Sequence, residues 1–190
     1  MKNLLLSGAV LFSLAIGSVS ANAASLDIQY LMLDTDFEGV SLEPSALQLK
    51  VANPVAPNVS IEGVLAFGIT DDDISVTIPP DTLKFGLELA NLLGVYAKAH
   101  ADLGSNSQIY GRIGFTKIEY DITATITSGG SSISGTVSDD DTGIAFGFGA
   151  LFALSPQSGL VVEYNQYPDV DFEGLNIETT SLSVGYQMKF

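Results

Sequence analysis

The 190-residue sequence contains no cysteine. A disulfide framework and a thiolate metal site are therefore excluded. Basic residues are scarce: 7 Lys and Arg stand against 22 Asp and Glu, for a formal net charge of −15. Nucleic-acid binding needs a clustered basic face, and this composition excludes it. There is one histidine, His100, which leaves little for acid–base or nucleophilic chemistry. Beyond the N-terminal stretch no run of about 18 apolar residues occurs, so no transmembrane helix is available. Yet 46% of the residues are hydrophobic and the mean hydropathy is +0.34. The apolar residues are plentiful but dispersed in alternation, as strands that face lipid on one side require.

Met1 to Ala23 has the layout of a secretory signal peptide. Lys2 gives a positive start, Leu4 to Ile16 an apolar stretch, and Ala21-Asn22-Ala23 a small-residue cleavage site. Its apolar part is too short to span a bilayer as a helix. Two segments are expected: 1–23, a cleaved signal peptide, and 24–190, one domain.

The last ten residues read as a β-strand. Leu182, Val184, Tyr186, Met188 and Phe190 alternate with Ser181, Ser183, Gly185, Gln187 and Lys189. That is a period of two, with one apolar and one polar face. Strands are expected also over 25–33, 46–52, 59–70, 108–120, 142–154 and 160–167. Residues 84–92 fit a short helix as well as an apolar strand, whereas 93–100 alternate. Asn53 to Asn58 reads as a turn, its two prolines ending strand pairing. Residues 74–78 prolong the third strand beyond the membrane, and 121–141 read as a hairpin standing above it. Residues 169–178 read as an acidic loop. Eight strands are reached, with short turns alternating with longer acidic connections.

Ser183, Gly185, Met188 and Phe190 resemble the C-terminal insertion signal of bacterial outer-membrane β-barrels, which the barrel assembly machinery reads in that family. Leu93 to Lys98, Tyr110 to Gly114 and Val162 to Tyr164 resemble the hairpins of small OmpA/OmpX-like barrels. The resemblance covers the chain after residue 23. It implies an all-β fold, an eight-stranded antiparallel up-and-down transmembrane β-barrel. It also implies residence in the Gram-negative outer membrane after export through the periplasm, among lipid and lipopolysaccharide. No peptidoglycan-binding domain follows the barrel, so a wall-anchoring role is not implied.

An eight-stranded barrel is just wide enough for its own side chains. Lys50, Glu62, Lys98, Arg112 and Glu163 fall on inward positions. Buried charges must pair, so they are expected to form a structural network that plugs a polar lumen. The alternative is a narrow channel or carrier for small molecules; a carrier needs an apolar lumen, and the inward residues read as glycine, alanine, serine and charge. His100 falls at the periplasmic end near Ser105 and Ser107, remote from the outer leaflet, so no catalytic site, cofactor or resident metal is expected. Runs such as Asp71-Asp72-Asp73 and Asp139-Asp140-Asp141 offer oxygen ligands to divalent cations but lack EF-hand spacing. Protruding Thr/Ile-rich loops with an open edge would suit adhesion by strand addition.

Overall fold

A computed structural model describes residues 24–37, 39–104, 106–172 and 175–190. The signal peptide expected at 1–23, and Glu38, Ser105 and Glu173, lie outside the described residues. The strands are β1 (Ser25–Phe37), β2 (Val40–Leu42), β3 (Ser45–Ala56), β4 (Val59–Thr70), β5 (Asp72–Ile78), β6 (Asp81–Asp102), β7 (Ser107–Ser128), β8 (Ser131–Ser155), β9 (Ser158–Gln166), β10 (Val170–Phe172) and β11 (Leu175–Lys189). Eight of them form an antiparallel ring in the order β1-β3-β4-β6-β7-β8-β9-β11, closed by β11 pairing with β1. The closing ladder runs from Ser25 opposite Lys189 to Phe37 opposite Ile177. The Phe190 N–H then donates to the Ala24 carbonyl at 3.0 Å. This is an up-and-down barrel without a free edge along its staves.

The ring follows from alternation. Ile28, Tyr30 and Met32 are exposed on β1 while Asp27, Gln29 and Leu31 are buried. Ile113, Phe115, Phe146 and Phe148 are exposed on β7 and β8, while Arg112, Thr116 and Ala145 are buried. The exposed apolar residues form the band that meets acyl chains.

Short turns join the strands at one end, and long hairpins at the other, extracellular in this architecture. At the long end β2 pairs with β1, β5 with β6 and β10 with β11. The largest hairpin joins β7 to β8 in unbroken register from Ser107 opposite Phe152 to Ser128 opposite Ser131. Gly129 and Gly130 turn it, both at positive φ (58° and 85°), as a tight two-residue turn requires.

Three sequence expectations change. Residues 84–92 are strand throughout, with a register shift between Leu89 and Asn91 against β7. The acidic segment 169–178 is partly strand, because β10 folds back on β11. Pairing also continues through Pro54, opposite Ser60. Since β1 pairing ends opposite Ala52, Pro54 sits where β3 has one neighbour among the described residues, a place where a missing N–H is tolerated.

Candidate functional site

Halfway down the barrel, side chains from six strands meet in one layer. Lys50 Nζ lies 2.7 Å from Glu163 Oε2 and 3.8 Å from Asp27 Oδ2. Lys98 pairs with Glu62 Oε1. Arg112 reaches both acids, Nη1 to Glu62 Oε2 at 3.5 Å and Nη2 to Glu163 Oε1 at 3.0 Å. The Tyr110 hydroxyl donates to Glu163 Oε2 at 2.7 Å, and Asn165 accepts from Arg112 Nε at 3.0 Å and from Nη2 at 2.8 Å. The Arg112 guanidinium lies 4.1 Å from the Tyr96 ring centroid and the Lys98 ammonium 4.9 Å from that of Tyr110. All six charged side chains are buried. Three carboxylates face three cations, so the layer is neutral.

The five charges expected inside the barrel are all present in this layer. Sequence reasoning missed Asp27, without which the layer would carry one uncompensated positive charge. The signal was available, because Asp27 alternates with the outward Leu26 and Ile28. Sequence reasoning also missed Tyr96, Tyr110 and Asn165, which are buried beside these charges. Tyr96 fits because its cross-strand partner is Gly114, where a Cβ would collide with the Tyr96 ring and backbone.

Of the residues in the terminal signal, Ser183 points inward and donates to Gln29 Oε1 at 2.8 Å. Gly185 lies opposite Gln29 and Met188 opposite Leu26 in the closing ladder. Met188 and Phe190 are exposed.

Below the charged layer, at the short-turn end, a vestibule of about 470 Å³ is lined by Lys98, His100, Tyr110, Gln187 and Phe190 among others. Among the described residues no serine or carboxylate hydrogen-bonds the His100 side chain. Nor does any group of three or more His, Asp or Glu gather so as to hold a metal ion.

Above the charged layer the lumen differs from its expected character. Leu31, Leu33, Leu89, Leu92, Ile118, Tyr120, Val170 and Ile177 pack there into a buried apolar cluster. The inward residues are therefore not only small or ionic. Higher still, β5, β6 and the upper parts of β7 and β8 continue as a four-stranded sheet beyond the barrel wall. Here both faces change character. The outward face, which bears Phe115 and Ile144 within the membrane band, becomes hydroxyl and charge. Thr123 bonds Thr136 at 2.9 Å, Thr125 bonds Ser134 and Thr127 bonds Ser132 each at 2.8 Å. Lys117 pairs with Asp140 at 2.9 Å and Lys84 with Asp73 at 2.8 Å. Asp73 holds the Lys84 ammonium above its ordinary pKa, first by that hydrogen bond and then by its charge. The inward face carries Ile74, Val76, Leu83, Phe85, Ile122, Ile126, Ile133 and Val137, which register places side by side.

A family model described as the outer membrane protein beta-barrel domain matches residues 4–190. The chain belongs to that family. It is a protein of the Gram-negative outer membrane. Solved structures share its fold at low identity. Neisserial surface protein A is 15% identical with a TM-score of 0.57, covering 88% of this chain and 97% of that one. Ail, the attachment invasion locus protein of Yersinia pestis, solved with the heparin analogue sucrose octasulfate, is 18% identical with a TM-score of 0.52, covering 88% and 99%. The outer membrane protease OmpT from Escherichia coli is 11% identical with a TM-score of 0.56, covering 91% and 98%. No curated protein matches the sequence.

Proposed function

We propose that this family member is a closed barrel whose role lies at the cell surface, carried by the sheet that stands above its rim. The observation behind this is the neutral layer of Asp27, Lys50, Glu62, Lys98, Arg112 and Glu163, which fills the barrel cross-section with paired, buried charge. An ion entering that layer would have to part an existing pair in a medium of low dielectric. The barrel is the anchor and the hairpins are the working surface. Residues 1–23 serve as the export signal and leave a domain beginning at Ala24. Ser183, Gly185, Met188 and Phe190 present the insertion signal to the assembly machinery, and lipid and lipopolysaccharide surround the apolar band. Catalysis has no part in this reading, which rests on the short-turn-end position of His100 and the absence of a bonded nucleophile among its described neighbours.

One observation favours a second reading, that of a carrier for small hydrophobic molecules: the apolar cluster in the upper lumen. The charged layer beneath it would interrupt such a path. Recording from the pure protein in planar bilayers tests the closed barrel against a narrow channel, and transfer of a fluorescent fatty acid across protein-loaded vesicles tests it against the carrier. The closed reading expects no steady conductance; steady openings would replace it with the channel. The N-terminal sequence of protein isolated from cells should begin at Ala24, and an intact Met1 would overturn the export reading.

A further inference from the structure

We infer that the inward face of the extracellular sheet is a docking surface for a cationic, amphipathic polypeptide; the inference rests on the surface role just proposed. The face is apolar over four adjacent strands. Cross-strand register aligns Val76 with Leu83, Leu83 with Ile126 and Ile126 with Ile133, and in the next row Ile74, Phe85 and Ala124. Its lower part is covered: Leu87 is buried, and Ile74 and Ile122 pack on the apolar cluster of the lumen. Its upper part is not. Val76 is 47% exposed, Ile126 54% and Ile133 79%. The opposite wall, made of β1, β2, β10 and β11, has no counterpart to these upper strands among the described residues. A sheet with a hydroxyl face outward and a bare aliphatic face inward is half of a two-layer structure. A contiguous exposed apolar patch rimmed by polar groups marks an interaction site.

Charge specifies the second layer. Asp72 lies opposite Leu87, Asp81 opposite Ile78, Asp139 opposite Tyr120 and Asp141 opposite Ile118, so all four carboxylates share the apolar face. No lysine, arginine or histidine does. Of the basic residues after residue 23, Lys50, Lys98 and Arg112 are in the lumen layer, Lys84 and Lys117 are on the outward face, and His100 and Lys189 are at the short-turn end. A complementary partner therefore brings aliphatic side chains for the patch and basic ones for its border. A polypeptide does both, and acidic or neutral apolar ligands match only half. The two outer strands of this sheet, β5 and the Ser131–Asp141 part of β8, each pair on one side only among the described residues, so a polypeptide backbone can also find partners at either flank.

The test uses the full-length folded protein in phosphatidylcholine nanodiscs, which carry no net charge to attract the probe. The probe is a short fluorescent peptide of alternating lysine and valine; the controls are a glutamate–valine peptide, a lysine–serine peptide and a fluorescent fatty acid. The expected result is saturable binding of the lysine–valine peptide alone, weakened about tenfold or more by Ile126→Ser with Ile133→Ser, and separately by Asp139→Asn with Asp141→Asn, and weakened by salt. These positions are exposed or at the sheet border, and retained heat-modifiable mobility shows that each variant folds. Equal binding of the glutamate–valine peptide, tighter binding of the fatty acid, or binding unaffected by either pair of substitutions overturns the inference. Failure here leaves the closed barrel standing, while conductance in the bilayer recording removes that reading whatever the peptide does.

Discussion

Glu163 joins four partners of the lumen layer through its two carboxylate oxygens. It accepts from Lys50, Arg112, Tyr110 and Asn165. Glu163→Gln keeps the shape but leaves the layer one positive charge in excess. Removing one partner of a buried pair costs about 3–5 kcal/mol, and a loss of that order is expected in denaturant unfolding from lipid vesicles. Adding Lys50→Met restores neutrality and should recover part of the loss; a strictly additive double variant would show that charge balance is not what matters. The sequence made this layer legible because an ionic residue on an inward position of a narrow barrel has no other place to go. It did not make the apolar cluster above it legible. Leu31-Met32-Leu33 and Leu92-Leu93 are apolar on both faces, and hydropathy alone does not say which face looks inward. Once register is known the ambiguity disappears: Leu31 and Leu33 are buried and Met32 is exposed.

At the scale of the strand, the long hairpin is two things joined end to end. Up to Phe115 and Ile144 its outward residues are apolar; from Lys117 and Thr142 onward they are polar. The membrane part is held by β6 and β9 on its two sides, whereas among the described residues Ser131 to Asp141 pairs only with β7. Replacing residues 123–136 by a two-residue turn should therefore leave the barrel folded, with heat-modifiable mobility kept and the unfolding midpoint little changed. A variant that no longer folds would mean that the upper sheet nucleates the barrel. The alternation of Thr and Ile in 121–141 was enough to expect a hairpin. The inward turn of its isoleucines was not expected, because an isolated hairpin has no preferred dry side until the register with β6 is set.

For the whole molecule, charge is sorted by compartment. The lumen layer is neutral, so the excess of 22 acidic over 7 basic residues resides almost wholly outside it, chiefly at the hairpin end. That field favours cationic encounter and repels acidic surfaces at low salt. The fold itself predicts behaviour in detergent. A ring with every stave hydrogen-bonded on both sides should migrate from an outer-membrane fraction as a compact band when unheated and at its full apparent mass after boiling. Identical migration in the two states would argue against a closed ring.

One joint of the ring differs from the other seven. Adjacent staves are elsewhere tethered by a covalent connection, but β1 and β11 meet only through the ladder from Ser25–Lys189 to Phe37–Ile177. Until that ladder zips, two rows of peptide groups lie bare, and hydrocarbon offers them nothing to bond. The cylinder thus has no comfortable halfway state in the bilayer. Chain ends far apart in sequence must find each other before any stave is secure, so closure carries the greatest loop-closure cost of any pairing in the ring.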